Sequence, residues 1–350
     1  MKNSLLRKFV AIAGAWLALS GVAAAESMTE VVDIDDSAHW VIAIHGGAGS
    51  ARRADHTPEE EAAIRADLTA ALEAGAALLE QGATGTDAIV AALTILEDSP
   101  RFNAGRGAAL DEHGQARHDA SIMRGNDLAA GAIAGSSRIR NPIVAARAVM
   151  EQTKNVMLAG DGANWFAANN GLEMAEPTYF ITEKRYQSLL EERAKGEGPT
   201  AHIPSGDAVF GTVGAVVLDR AGNLSAGTTT GGRTNKRYGR IGDTPIIGAG
   251  TYASNSSCGV SATGHGEYFM RWTVARDICA RVELAGETLE QAATTLLVDM
   301  LLPEGGTGGV VTMAPSGKTV FVATTANLRR GVMSSTTPAR VAVYSDEEVE

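Results

Sequence analysis

The chain reads as an α+β protein, with antiparallel sheets covered by helices in a single domain. Three observations predict this. Strand-like and helix-like stretches segregate more than they alternate, which disfavours a doubly wound parallel sheet. The turn signals Asp219-Arg220-Ala221-Gly222-Asn223 and Ala314-Pro315-Ser316-Gly317 each join two apolar runs as a hairpin. Glycine reaches 40 of 350 residues while aromatics stay at 5%, a composition of tight turns and close backbone approach.

The first element is an N-terminal segment of a different kind. Lys2, Arg7 and Lys8 are basic, Phe9 to Val22 is apolar, and Ala23-Ala24-Ala25 offers a small-residue cleavage site. This is the layout of a secretory signal peptide over residues 1–25. Its apolar core is shorter than the ~20 residues that span a bilayer. We therefore expect a periplasmic or secreted protein with no membrane attachment once the signal is removed.

A buried strand, Trp40-Val41-Ile42-Ala43-Ile44, runs into His45-Gly46-Gly47-Ala48-Gly49-Ser50. Thr57-Pro58-Glu59-Glu60-Glu61 supplies an N-cap, a proline at the first helical position and an acidic first turn. That helix continues through Ile64, Leu68, Ala71, Leu72 and Leu79 to about Glu80, and Gly82 ends it. A second helix is predicted from about Thr86 to Leu96, a third from Ile143 to Gln152 after Asn141-Pro142, and another near Ala163. Two short strands around Ala109 and Ala120-Ile122 should flank a turn at Glu112-His113-Gly114. Residues 183–211 are charged, then rich in Gly, Pro and Ser, and read as a flexible linker. Strands follow at Val213–Asp219, Leu224–Thr230 and Gly259–Thr263. Helices are expected near Glu267–Ala285 and Thr288–Leu302, with a last hairpin at Gly309–Ala314 and Thr319–Thr324.

Charge and motifs exclude several functions. A net charge of −11 with no basic block beyond the N-terminus argues against a nucleic-acid surface. Gly-x-Ser-x-Gly and His-Glu-x-x-His are absent, and Gly317-Lys318-Thr319 lacks the upstream P-loop glycine because Thr312 stands there. The two cysteines, Cys258 and Cys279, show no metal spacing. An exported setting permits a disulfide, but one lies in a strand-like and the other in a helix-like segment, so we expect two buried free thiols.

The chemistry concentrates after the linker. A Gly211-Thr212 step opens the apolar run Val213 to Leu218, and Thr228-Thr229-Thr230 lies on the next strand. Cleavage before Thr212 would create an N-terminal threonine. Its hydroxyl is a weak nucleophile, but the freed α-amine, with a reference pKa of about 7.7–8.0, is a general base on the same residue. Arg240 and Asp243 sit three residues apart in a Gly-rich loop and could hold an amino-acid head, α-carboxylate on Arg240 and α-ammonium on Asp243. Ser261-Ala262-Thr263-Gly264-His265-Gly266-Glu267 places a hydroxyl and bare N–H groups at a strand-to-helix junction, as an oxyanion hole requires.

With these residues in view the chain resembles the plant-type asparaginase and isoaspartyl peptidase family of N-terminal-nucleophile hydrolases over nearly all of its mature length. The marks are Ile44-His45-Gly46-Gly47-Ala48-Gly49, Leu96-Glu97-Asp98, Phe102-Asn103-Ala104-Gly105, Asn141-Pro142-Ile143, Gly211-Thr212-Val213-Gly214, Thr230-Gly231-Gly232 with Thr234-Asn235-Lys236, Gly239-Arg240-Ile241-Gly242-Asp243, and Thr263-Gly264-His265-Gly266-Glu267. The resemblance implies a four-layer αββα sandwich, autocleavage between Gly211 and Thr212 into halves 26–211 and 212–350, and a homodimer of processed αβ units. It makes Thr212 the nucleophile, with Thr230 bonded to its side chain and Thr263 and Gly264 as oxyanion hole. Arg240, Asp243 and the Gly266 carbonyl would take the substrate head. It also implies a structural Na+ on the backbone carbonyls of Leu96, Glu97, Ser99, Phe102, Ala104 and Arg106, with no cofactor needed for the chemistry. The implied activity is hydrolysis of small substrates, β-aspartyl dipeptides and L-asparagine, releasing aspartate. A glycosylasparaginase, or an uncut precursor that only binds amino acids, are the other readings. The chain departs from the family pattern at His265, where Thr is frequent, at Arg124, where Asp is frequent, and along Thr324–Arg330.

Overall fold

In the computed structural model, residues 27–195 and 211–349 are described. Residues 1–25, read as a signal peptide, and residues 196–210 of the expected linker lie outside them. The N-terminal half contains β1 (Met28–Val32), β2 (Val41–Gly49), α1 (Pro58–Glu80), α2 (Gly85–Asp98), β3 (His118–Arg124), β4 (Ala130–Ser136), α3 (Pro142–Gln152), β5 (Met157–Ala159), α4 (Gly160–Asn169) and α5 (Glu183–Ala194). The C-terminal half contains β6 (Val213–Leu218), β7 (Leu224–Thr230), β8 (Thr251–Ala253), β9 (Gly259–Gly264), α6 (Gly266–Arg271), α7 (Val274–Ala280), α8 (Leu289–Thr294), β10 (Gly308–Met313), β11 (Thr319–Ala323), β12 (Asn327–Ser334) and β13 (Arg340–Ala342).

The strands form two sheets, one of eight in the order β13-β12-β2-β6-β7-β3-β4-β5 and one of five in the order β1-β11-β10-β9-β8. Pairing is antiparallel except between β4 and β5. β6 shows why a central strand can be apolar or glycine without interruption. Val213, Ala215 and Val217 face the core made with α1, α2 and α3, while Val216 and Leu218 face a second core lined by Val311, Met313 and Phe321 of the other sheet. Successive side chains point to opposite faces, so a strand covered on both sides reads as a near-continuous apolar run, as β6 does. A third core packs α7 and α8 on β9, β10 and β11.

Helix starts follow local chemistry. Thr57 accepts from the Glu60 N–H at 3.2 Å while Glu60 Oε2 accepts from the Thr57 N–H at 3.0 Å, a reciprocal capping box. Thr84 with Asp87 and Thr288 with Gln291 repeat it.

Four sequence expectations need correction. Glu183–Ala194, read as the start of the linker, is helix α5, capped by Thr182 and anchored by the buried Arg185 and Leu189. The expected helix over Glu267–Ala285 is broken at Thr273, which takes a left-handed φ of 45°. Two first-turn amides of α7, Ala275 and Arg276, donate instead to the Ala249 and Gly248 carbonyls at 3.1 and 2.8 Å, which restarts the helix there. The expected strand around Ala109 is only an isolated bridge between Leu110 and Ala116. Cys258 and Cys279 are joined as a disulfide. Element type was a poor guide because α7 packs directly on the segment entering β9, bringing the two Cα atoms to 5.3 Å. Closing this loop contributes about 3 kcal/mol on the chain-entropy scale.

The sequence reading also missed β12. Its apolar pattern is broken by Arg330, whose fully buried guanidinium is held by Glu30 and by the Leu328 and Tyr344 carbonyls. Arg124 pairs with Asp127 at 2.8 Å on the rim. Among the described residues no helix is long and apolar enough to cross a membrane.

Candidate active site

Thr212 stands at the head of β6, in the middle of the larger sheet, and Thr230 ends the neighbouring β7. The antiparallel register that pairs Val213 with Thr229 places the two hydroxyls side by side. Thr212 Oγ1 donates to Thr230 Oγ1 at 3.0 Å, and the Gly232 N–H donates to the same Thr230 oxygen at 3.0 Å. Thr212 is 8% exposed.

The Gly211-Thr212 bond is held from two sides. The Asn103 N–H donates to the Gly211 carbonyl at 3.2 Å. Asn103 also donates from Nδ2 to the Gly232 carbonyl at 2.7 Å and accepts from the Ala109 N–H at 2.7 Å, so one side chain ties the 103 loop to the Thr230-Gly231-Gly232 turn. Opposite lies Gly47, at φ +99°, where a Cβ would stand 2.5 Å from Gly211 Cα. A Cβ on Gly211 itself would stand 2.7 Å from Asn103 Cβ. Both positions therefore need glycine for close backbone approach. Asn103 escaped the site reading because it sits inside a motif read as a loop, and nothing local tells which backbone it will bridge.

Thr263 and Gly264 end β9. Thr263 is fully buried and its Oγ1 accepts from the Ala48 N–H at 3.3 Å, leaving its own O–H to donate. Gly264 packs so closely on β10 that a Cβ would meet the Thr307 carbonyl at 2.6 Å. The loop before β8 brings Arg240 and Asp243 to Gly266. A Cβ on Gly266 would lie 2.8 Å from both Arg240 Nη2 and Asp243 Oδ1. A Cβ on Gly232 would lie 3.7 Å from Arg240 Nη1, so the Thr230 turn and the arginine adjoin.

The electrostatics of this corner are set by burial. Asp243 is pushed up to about 7 by burial, with Arg240 pulling the other way, and its Oδ2 is buried without a hydrogen-bond partner. Arg240 donates to Glu267 through Nε and Nη2, both at 2.9 Å. Burial pushes the Glu267 carboxyl up, but its hydrogen bonds and charge pairing with Arg240 hold it below the usual range. Glu267 was read as a motif residue only. Behind lie Asp119, raised by burial, and Lys236, lowered by burial, whose Nζ donates to the Arg117 carbonyl at 2.6 Å.

The carbonyl loop follows α2. The Arg106 N–H donates to the Glu97 carbonyl at 2.6 Å. A Cβ on Gly107 would lie 2.7 Å from the Phe102 oxygen and 2.8 Å from the Pro100 oxygen, and one on Gly105 would collide with the Glu97 oxygen. Carbonyl oxygens of Glu97, Pro100 and Phe102 thus crowd the two glycines of this turn, and such oxygens are the donor type a hard cation takes. The Glu97 side chain points inward, accepting from Thr229 Oγ1 at 2.7 Å and the Ile143 N–H at 3.0 Å. Burial pushes its carboxyl up to about 8.

A hydroxyl pair beside a clamped peptide bond, a buried threonine hydroxyl at the end of β9, and a buried Asp243 beside the half-buried Arg240 are the parts that a hydrolase of amide bonds needs. Comparison with known proteins agrees. The asparaginase family model matches residues 38–343. The isoaspartyl peptidase of Escherichia coli (strain K12) is 43% identical over 295 residues, covering 83% of this chain and 91% of that protein. The isoaspartyl peptidase of Salmonella typhimurium is 44% identical over 280 residues, covering 79% and 90%. The isoaspartyl peptidase/L-asparaginase of Bos taurus is 40% identical over 278 residues, covering 79% and 88%. The chain belongs to the asparaginase family.

Proposed function

We propose that the protein is an amidohydrolase for β-aspartyl dipeptides and L-asparagine that works through an N-terminal threonine made by its own cleavage. The observation that carries this reading is the Thr212–Thr230 hydroxyl pair at 3.0 Å beside a Gly211 carbonyl already polarised by the Asn103 N–H. In the uncut chain Thr212 Oγ1 attacks the Gly211 carbonyl. The C–N bond breaks as an ester to Oγ1 forms, and water hydrolyses the ester. Gly211 leaves as a carboxylate and Thr212 gains a free α-amine.

In turnover that amine takes the Oγ1 proton as Oγ1 adds to the substrate's side-chain carbonyl. The oxyanion forms against the Thr263 O–H and the Gly264 N–H. The amine returns the proton to the leaving group, which departs as ammonia or as the amino group of a residue. Water then cleaves the acyl ester and releases aspartate. Arg240 receives the α-carboxylate on the part of its guanidinium that Glu267 leaves open, and Asp243 with the Gly266 carbonyl receives the α-ammonium.

The same reading includes a four-layer αββα stack, supported by the three successive cores, and a homodimer of processed units. It includes a structural Na+ on the carbonyls of Leu96, Glu97, Ser99, Phe102, Ala104 and Arg106, whose part is to brace the loop that carries Asn103. Export by residues 1–25 into the periplasm or beyond is supported by the Cys258–Cys279 disulfide, which suits an oxidising compartment. The test is release of aspartate from an isoaspartyl dipeptide and from L-asparagine by purified protein, with Thr212→Ala inert on both. No release from either substrate by fully cleaved protein would refute the proposal.

A further inference from the structure

Between the sheets runs a string of polar side chains that the chemistry above leaves unused. His45 Nε2 lies 2.9 Å from Ser261 Oγ, which lies 2.7 Å from Thr228 Oγ1. Thr228 Oγ1 lies 2.5 Å from Thr251 Oγ1, and Ser121 Oγ lies 2.8 Å beyond, within 2.6 Å of the Thr244 carbonyl. His45, Ser261, Thr228, Thr251 and Ser121 are all fully buried. Each hydroxyl proton must therefore find its acceptor within the string or on adjoining backbone.

That requirement gives the string a direction. Ser121 is the donor in both of its contacts, so its one proton goes either to the Thr244 carbonyl at 2.6 Å or to Thr251 Oγ1 at 2.8 Å. The remaining neighbour able to accept the Thr251 proton is Thr228. Thr228 then donates onward, either to Ser261 at 2.7 Å or to the Gly250 carbonyl at 3.2 Å, and the shorter contact is to Ser261. Ser261 is left to donate to His45 Nε2. The imidazole proton then sits on Nδ1.

Thr212 approaches the same ring through its backbone. β2 pairs His45 with Gly214, and a Cβ on Gly214 would fall on the His45–Ser261 hydrogen bond, which explains the glycine. Thr212 is two residues from Gly214 and shares its face of β6. Burial holds the ring neutral, down to about 3, and the Thr212 backbone beside it pulls the other way. A carbonyl next to an Nδ1–H has that effect. In the uncut chain Nδ1 stops short of a full hydrogen bond.

We propose that His45 is a positioning residue for the Thr212 main chain, held as its Nδ1–H tautomer by a buried hydroxyl relay that ends in Ser261. The inference rests on Thr212 as nucleophile. The relay fixes which ring nitrogen donates, and so aims one N–H at the residue whose backbone must stay in place while its bonds change. No step of the reaction passes through the ring.

The direct test is a two-dimensional NMR spectrum of the whole protein labelled with 15N-histidine, with His45 assigned by the loss of its signals in His45→Asn. A proton on Nδ1 and a bare Nε2 is expected; a proton on Nε2 overturns the proposal, and the tautomer itself is read in the wild-type protein. Kinetics give the second arm. Asn places its amide near the Nδ1 position and Gln near Nε2, so His45→Asn should keep more kcat and faster self-cleavage than His45→Gln. The Gln variant should lose about tenfold in kcat, the scale of one neutral hydrogen bond, with KM unchanged. Equal losses in both, or a loss confined to KM, would overturn the positioning role. N-terminal sequencing of the same samples keeps the outcomes apart, because a small fragment that does not begin at Thr212 refutes the nucleophile assignment and leaves the tautomer result standing.

Discussion

Arg240 and Glu267 face each other in a two-point contact, Nε to Oε1 and Nη2 to Oε2, each at 2.9 Å. A guanidinium has five N–H donors in a fixed plane, so a carboxylate on this edge leaves Nη1 open beside Gly232. Glu267 thus orients the arginine that the substrate carboxylate would meet. Arg240→Lys keeps the charge and loses the fork, at a cost of about 1.5–3 kcal/mol, or roughly 10- to 150-fold in KM. Glu267→Gln should raise KM by less and leave self-cleavage intact. A KM that falls in Glu267→Gln would mean that Glu267 competes with substrate for the same edge.

Asp243 sets a pH dependence. Its carboxyl is pushed up to about 7 by burial, against the pull of Arg240. Only the anion can hold an α-ammonium, so kcat/KM, which reports the free enzyme, should fall as pH drops below about 7. Asp243→Asn should lower kcat/KM at every pH and leave only the acid limb of the Thr212 α-amine. A wild-type profile flat through neutral pH would contradict the assignment.

Glu97 makes a stability prediction with a definite sign. Burial raises its carboxyl from 4.5 to about 8, so the folded state binds the proton more tightly than the unfolded one. Its contribution is fully present below the unfolded pKa and is lost as pH rises through the folded one. Glu97→Gln keeps an oxygen to accept from Thr229 and Ile143 and cannot ionise. Thermal melts across pH should show wild type losing Tm relative to Glu97→Gln as pH rises from 4.5 to about 8, with no further relative loss above that. Parallel curves would place an ionised Glu97 in the fold at neutral pH.

Thr263→Ala separates self-cleavage from turnover. The Thr263 hydroxyl accepts from the Ala48 N–H, so its own proton would be available to an external oxyanion. The scissile Gly211 carbonyl instead faces the Asn103 N–H. The variant should therefore be cut almost normally while kcat falls by about 10²–10³, the cost of one oxyanion donor. Normal kcat would reduce Thr263 to a packing residue.

What was legible in the sequence was what local chemistry decides. Thr57 announced the first long helix because caps act within one turn. The Gly-Thr step and the hairpin after it placed Thr212 beside Thr230, because antiparallel register follows from a short turn. What stayed hidden depends on contacts between distant segments. Cys258 and Cys279 meet through the packing of α7 on β9, and Asn103 reaches Gly211 across more than a hundred residues. Arg330 disguised β12 because its partners, Glu30 and the Tyr344 carbonyl, come from opposite ends of the chain. Glu267 stood in plain view, but only the fold shows that it holds Arg240.

The central claim is that Thr212 becomes the first residue of a catalytic fragment, and N-terminal sequencing with intact mass of the purified protein tests it most directly. The account predicts two fragments, the smaller beginning Thr-Val-Gly-Ala, with Thr212→Ala remaining a single chain. Thr212→Ser, which keeps a hydroxyl, should be cut more slowly at the same bond. A small fragment with any other first residue, or an active protein that stays uncut, would contradict it.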